Sequence, residues 1–115
     1  MKEMDLQKLL PEGAVELKGM FGGLGLYCQG VMFGLCADNK LFLRSETNAY
    51  KYLSYGQLPF FVRMGQQVLP ISFYSVPQQV MEDTGKMRSW LIDALNEALR
   101  LKTLAQKKEQ SLISD

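Results

Sequence analysis

Apolar residues dominate the stretch from residue 20 to residue 45, and two polar dipeptides divide it into short runs. Gln29-Gly30 and Asp38-Asn39 predict tight turns, because glycine and short polar residues tolerate the positive φ that a two-residue hairpin loop requires. The runs between them have the length and the aromatic and β-branched content of strands. This stretch therefore predicts three consecutive antiparallel strands at the centre of the fold.

Two-residue loops would also determine which side chains share a face of this sheet. Leu24 would lie opposite Leu35, and Leu26 opposite Phe33. The first face would hold Leu24, Leu26, Cys28, Val31, Phe33, Leu35 and Phe42, fringed by Lys40 and Arg44. The second face would hold Gly25, Tyr27, Met32, Gly34, Cys36, Leu41 and Leu43. Because a sheet with one solvated face alternates apolar and polar residues, these two apolar faces predict that both are covered.

The second face supplies a candidate interaction surface. If helices cover only the first face, Tyr27, Met32, Leu41 and Leu43 form an exposed apolar patch, and such patches mark association sites. This face, or the sheet edge beside it, would then mediate homodimerisation or the docking of a protein partner. The alternative is that the N-terminal segment and a helix over residues 46–55 cover it. The sequence leaves both interpretations open.

Short elements are predicted on either side of the central stretch. Residues 5–10 carry a leucine stripe that is typical of a short helix, and residues 14–20 alternate in polarity as a strand with one solvated face does. Residues 46–55 predict a helix with Ser45 as its N-cap and Gly56 after its C-terminus.

The C-terminal half predicts a second hairpin and a long helix. Strands over residues 60–64 and 67–74 would be joined by Gly65-Gln66, and Pro70 indicates an edge position or a bulge because proline donates no ladder hydrogen bond. The helix would begin at Thr84 or Gly85 and end near Lys107. Its apolar stripe, bordered by Trp90, consists of Met87, Leu91, Ala94, Leu95, Ala98, Leu101 and Ala105.

These elements predict an α+β fold. Hairpin loops imply an antiparallel sheet of about six strands, and helices mainly on one face make a two-layer sandwich. A chain of 115 residues matches one domain with a moderate core. We expect a single domain over residues 1–108 and a polar C-terminal tail over residues 109–115.

The residue types that carry catalysis are scarce. The chain contains no histidine, which removes the usual general base and the commonest metal ligand. Its carboxylates include no pair in apolar surroundings that would divide acid and base roles. A strand follows Gly22-Gly23, whereas a phosphate-binding loop needs a helix N-terminus there. We therefore expect neither an enzyme, nor a cofactor, nor a metal.

The cysteines and the N-terminus indicate the compartment. Cys28 and Cys36 would point to opposite faces of the sheet, which predicts two unbridged thiols. The start Met-Lys-Glu-Met-Asp lacks the apolar core of a signal peptide. No window approaches the roughly 18 apolar residues of a membrane-spanning helix. A cytoplasmic protein without membrane contact is the expectation.

Basic residues offer a second interpretation, a direct nucleic-acid contact. The candidates at strand ends and on the last helix are Arg44, Arg63, Arg100 and Lys102. A nucleic-acid-binding domain usually shows a basic patch and a basic net charge. The net charge of +1 instead favours ordinary solvated faces.

The run from Met20 to Tyr27, followed by Val31 to Ala37, resembles the N-terminal domain of the TfoX (Sxy) family, regulators of natural competence. The shared motif residues, which look structural, are Met20, Phe21, Gly22, Gly23, Gly25, Tyr27, Phe33 and Gly34. Leu58-Pro59-Phe60, the segment from Ile71 to Pro77 and the helix with Trp90 also match. The resemblance covers roughly residues 14–102.

This resemblance implies a two-layer α+β domain with no known catalytic chemistry. Family members with the full architecture carry a second, helical domain and activate DNA-uptake genes, working with the cyclic-AMP receptor protein. We therefore expect a non-enzymatic bacterial regulatory module that contacts that protein or the transcription machinery and that can form a homodimer. A direct nucleic-acid-binding module is the alternative.

Overall fold

The computed structural model describes residue 10, residues 13–20 and residues 22–113. Six strands are present: β1 Val15–Met20, β2 Gly23–Cys28, β3 Val31–Ala37, β4 Lys40–Arg44, β5 Pro59–Met64 and β6 Gln67–Ser75. The helices of the described residues are α1 Tyr50–Leu53, α2 Gln78–Met81 and α3 Thr84–Ile113. This arrangement confirms the predicted α+β fold with a six-stranded antiparallel sheet.

The strands form one sheet in the order β1-β2-β3-β4-β6-β5, and every neighbouring pair is antiparallel. Both predicted turns are confirmed by positive φ angles, at Gln29 (53°) and Gly30 (77°) and at Asp38 (52°) and Asn39 (58°). Two successive positive φ values define the type I′ turn, whose twist matches that of the strands it joins. These turns explain why β2, β3 and β4 are consecutive neighbours.

A bulge between β2 and β3 overturns the predicted facing of half the sheet. Tyr27 pairs with Met32, as a two-residue loop requires, but Leu26 pairs with Gly34 and leaves Phe33 as the extra residue. A bulge reverses the face of every residue beyond it. A side chain at position 34 would meet Leu26 Cδ1 at 3.0 Å, so glycine permits the close approach of the strands here.

Helix α3 covers the first face of the sheet. The buried cluster between them contains Leu10, Leu26, Cys28, Val31, Phe33, Leu41, Leu43, Tyr52, Val80, Met87, Trp90, Leu91, Ala94, Leu95 and Ala98. The predicted stripe of α3 is therefore confirmed as far as Ala98, whereas Leu101 is half-buried and Ala105 is exposed. The helix also continues beyond its predicted end, through Ile113. The turns from Lys102 to Gln110 are exposed and rich in good helix formers, which favour continuation of the helix.

The second face carries a smaller cluster of its own. Leu35, Ala37, Phe42 and Phe73 are buried there, with Met20, Met32, Phe60 and Ile71 packed against them. Phe42 and Phe60 meet edge to face with ring centroids 5.0 Å apart. Within the described residues, the side chains that pack against this cluster belong to strands of the sheet, and none belongs to a helix.

The predicted helix over residues 46–55 is reduced to one turn. It spans Tyr50–Leu53, and its N-cap is Ala49, so the prediction of Ser45 as the cap was wrong. The predicted terminating glycine is confirmed, since Gly56 has φ 78° and its N–H donates to Leu53 O at 2.9 Å. Most of the helix predicted over residues 5–10 lies outside the described residues.

The two cysteines lie on the same side of the sheet. Cys28 belongs to the cluster beneath α3, and the half-buried Cys36 packs against that cluster. The predicted opposite facing was wrong because the bulge lies between them, but the prediction of unbridged thiols is confirmed. Burial raises the pKa of the Cys36 thiol, which disfavours its reactive thiolate form.

Candidate protein-interaction surface

The β5–β6 hairpin extends beyond the rest of the sheet. Strand β4 pairs with β6 only along Phe73–Ser75. The part of the hairpin from residue 60 to residue 71 therefore consists of β5 and β6 paired with each other alone. We call residues 60–71 the hairpin arm. Pro70 lies within it, at a position where β4 does not reach, which agrees with the expectation that proline avoids a fully paired strand.

Large apolar side chains of the hairpin arm are exposed to solvent. The exposed fraction is 50% for Phe61, 60% for Met64, 55% for Val68 and 41% for Leu69. Val62 of the same arm is 8% exposed, so the arm buries some of its apolar side chains and leaves these four in solvent. The register places Phe61 and Val68 on one face of the arm and Met64 and Leu69 on the other, and exposed apolar surface on a folded protein is typical of a site of association.

The interaction face predicted from the sequence is not a single surface. Leu41 and Leu43 are buried beneath α3, where they are 3% and 0% exposed. The prediction that these two residues belong to a surface patch was therefore wrong. Tyr27 and Met32 lie on the second face, where Met32 packs against the smaller cluster. The bulge between β2 and β3 separates these two pairs.

The predicted nucleic-acid contacts are spread over three places. Arg44 and Arg100 line one cleft, where they pair with Glu46 and Glu97 at 3.4 and 3.0 Å. Arg63 lies on the hairpin arm. Lys102 reaches the β2–β3 turn, its Nζ 3.4 Å from the point where a Cβ on Gly30 would lie. The structure does not bring these four cations into one basic patch.

The cleft that holds Arg44 and Arg100 has a volume of about 300 Å³ and carries both signs of charge. At its centre, the Glu97 carboxylate accepts hydrogen bonds from Thr47 N at 3.1 Å and Thr47 Oγ1 at 3.2 Å. It also accepts a bond from Arg100 Nη2 at 3.0 Å. These contacts fasten the segment after β4 to α3. The role of Glu97 could not be recognised in the sequence, because Thr47, the partner that joins it to another segment, is distant along the chain.

Glu97→Gln should lower the free energy of unfolding by about 1–2 kcal/mol at pH 7, because charge-assisted hydrogen bonds become neutral ones. The Arg100 guanidinium, with help from Thr47, holds the pKa of the Glu97 carboxyl below its usual range. Such a carboxylate stabilises the fold above its unfolded-state pKa, and that contribution is lost as the pH falls through the folded-state pKa.

Urea unfolding of wild type and Glu97→Gln between pH 7 and pH 3 measures this effect. The difference between the two proteins should shrink in acid. Glu109→Gln, an exposed position of the same helix, is the matched control and should leave stability within about 0.5 kcal/mol at every pH. A Glu97→Gln effect that does not change with pH would contradict the assignment.

The residues of the sequence motif have structural roles. Phe33 is fully buried, and the Tyr27 hydroxyl donates to Met20 Sδ at 3.8 Å. The motif glycines lie at close strand contacts or have positive φ, as Gly22, Gly23, Gly25 and Gly34 do. Phe21 lies outside the described residues.

The described residues contain neither a metal-binding cluster nor a membrane-spanning helix. No group of three or more histidine, cysteine, aspartate or glutamate side chains is arranged to hold a metal ion. No helix in the described ranges is both long enough and apolar enough to cross a membrane.

Comparison with known proteins identifies the family. No curated protein matches the sequence significantly. The model of the TfoX N-terminal domain matches residues 6–98, which includes all six strands and the buried part of α3. The match covers well over half of the chain. The chain therefore belongs to the TfoX N-terminal domain family.

Proposed function

We propose that this chain is a non-enzymatic regulatory module that acts by protein–protein contact in bacterial transcriptional regulation. Membership of the TfoX N-terminal domain family supports a regulatory, competence-related role. The proposed partner is the cyclic-AMP receptor protein or another component of the transcription machinery. The module would act in the cytoplasm, where that machinery is located.

One observation carries the proposal of protein contact, the exposed apolar side chains of the hairpin arm. Aromatic residues, methionine and arginine are the types that protein interfaces favour, and the arm presents Phe61, Met64 and Arg63. Val68 and Leu69 add aliphatic area on β6. A partner that covered these side chains would remove apolar surface from water, which favours association.

Leu69→Lys should weaken binding to the partner at least tenfold, because a charge on the apolar arm must be desolvated in the complex. The measurement is a titration of the labelled chain with purified cyclic-AMP receptor protein, without DNA. Leu17→Lys on β1 is the matched control, since Leu17 is 58% exposed at the opposite edge of the sheet. It should bind as wild type does.

Equal weakening by both substitutions, or none by either, would contradict a contact through the arm. The nucleic-acid alternative makes a different prediction. Binding to a DNA duplex would fall steeply as salt is raised, because counterions are released on binding. It would also be weakened by Lys102→Gln but not by Leu69→Lys. The distribution of Arg44, Arg63, Arg100 and Lys102 over separate sites favours the protein partner.

A further inference from the structure

Strand β5 is an unprotected edge of the sheet. Within the described residues it pairs with β6 on one side and with no strand on the other. Natural edge strands are blocked by charges, internal prolines or bulges on the open side. In Pro59–Met64 the proline is the first residue, the shift in register against β6 lies between Pro59 and Phe60 at the start of the strand, and Arg63 is the single charge. The open side of β5 is thus able to accept another strand.

Pro70 shows which backbone groups of β5 point outward. Phe61 lies opposite Pro70, which has no N–H and cannot form a hydrogen-bonded pair with it. In an antiparallel ladder, hydrogen-bonded and non-hydrogen-bonded pairs alternate. The N–H and C=O groups of Phe61, and by alternation those of Arg63, therefore point away from β6 toward the open edge.

We infer that β5 pairs antiparallel with β5 of a second copy of this chain, joining two sheets across a two-fold axis. An isologous contact needs a surface that is complementary to itself, and an antiparallel strand pair provides one. Ladder hydrogen bonds form only in registers that set residues with outward-pointing N–H and C=O groups opposite each other. Such a two-fold axis can pass through Phe61, Val62 or Arg63.

The axis through Val62 pairs the outward backbone N–H and C=O groups of β5 better than the other two axes do. It sets Phe61 opposite Arg63 of the second copy, so that the outward N–H and C=O groups of both residues all pair. An axis through Phe61 sets Arg63 opposite Pro59, which lacks an N–H and leaves a carbonyl unpaired. An axis through Arg63 sets two like charges opposite each other, which is destabilising.

Side chains support the same register. Phe61 is half exposed, and in this register the guanidinium of the second copy lies beside its ring, an arrangement that favours cation–π contact. The inference goes beyond the proposed function, because it uses the backbone of β5. The side chains of Val68 and Leu69 on β6 stay available to the proposed partner, so the two claims can fail separately.

Phe61→Pro tests the edge itself. It removes an outward N–H while leaving the β5–β6 ladder intact, so the fold should persist and self-association should weaken at least tenfold. Phe61→Thr, the matched control, changes the side chain but keeps the N–H and should weaken dimerisation less. Light scattering across a dilution series gives the mass, and circular dichroism verifies folding. A wild-type chain that is monomeric at every concentration, or a Phe61→Pro chain that dimerises unchanged, would overturn the inference.

Val62→Cys tests the register independently of the proline substitution. At the two-fold axis the two introduced thiols face each other in a non-hydrogen-bonded pair, where Cα atoms about 4.5 Å apart allow a disulfide. Mild oxidation should yield a covalent dimer. Oxidation of wild type shows any crosslinking through Cys28 and Cys36. Arg63→Cys is the control for register, because in this register residue 63 of one copy lies diagonal to residue 63 of the other and not opposite it. Equal crosslinking of Arg63→Cys and Val62→Cys, or none in either, would overturn the proposed register.

Discussion

Gly23→Ala should lower the free energy of unfolding by about 3 kcal/mol, the upper range for overpacking a well-packed site. A Cβ at position 23 would overlap the carbonyl oxygen of Cys36 and come within 3.0 Å of Ala37 Cβ. A backbone oxygen cannot rotate out of the way as a side chain can. The start of β2 would therefore have to separate from the end of β3.

Urea unfolding followed by circular dichroism measures this loss. Gly19→Ala is the matched control, because a Cβ at position 19 would meet no atom within 4 Å. Gly19→Ala should leave stability within about 0.5 kcal/mol of wild type, or raise it by restricting the unfolded chain. Equal effects at the two glycines would contradict the close approach of β2 and β3.

Trp90→Ala should cost about 3–5 kcal/mol of stability, as truncation of a large core aromatic does. Trp90 is 7% exposed and meets Tyr52 edge to face, with ring centroids 4.8 Å apart. The Lys51 ammonium lies 4.4 Å from the Trp90 ring and also pairs with Asp93 at 3.1 Å. These contacts hold α1 against α3, so the substitution should loosen the whole segment between β4 and β5.

Leu104→Ala on the same helix is the control for Trp90→Ala, because Leu104 is 48% exposed. It should cost less than about 1 kcal/mol. Since Trp90 is the only tryptophan, unfolding of both variants should be followed by circular dichroism and not by intrinsic fluorescence. A Trp90→Ala protein as stable as Leu104→Ala would contradict the aromatic packing between α1 and α3.

Local patterns in the sequence were enough to predict the strands and both central turns. Gln29-Gly30 and Asp38-Asn39 could be recognised because their positive φ values are a property of a few adjacent residues. The bulge at Phe33 could not, since it depends on how closely Gly34 approaches Leu26 across the strands. That single residue accounts for the wrong placement of Leu41 and Leu43.

Distant contacts explain the other differences. The helix predicted over residues 46–55 is shortened, and Thr47 instead binds Glu97 on α3. The hairpin arm follows from the order β4-β6-β5 and from the short β4–β6 ladder, and neither is encoded in a local pattern. Pro70 was the one local sign, as it indicated a strand that is not fully paired.

The resemblance drawn from the glycine-rich motif is confirmed at the level of the family. The motif residues act through packing, as Phe33 and Gly23 show, and so they identify the fold and not a reaction. The proposed contact surface consists of other residues, on the β5–β6 hairpin. The partner, the homodimer and the absence of enzymatic activity remain predictions.

The decisive measurement is backbone amide hydrogen exchange of this chain with and without the purified cyclic-AMP receptor protein. Contact through the hairpin arm predicts slower exchange at the amides of residues 67–69 on partner addition. The comparison is with the exchange rates of the chain alone, which already include any protection that self-association gives to β5. Exchange at β1, the opposite edge, should not change. Slower exchange confined to the exposed end of α3, or protection that requires DNA, would contradict the arm as the protein-contact surface.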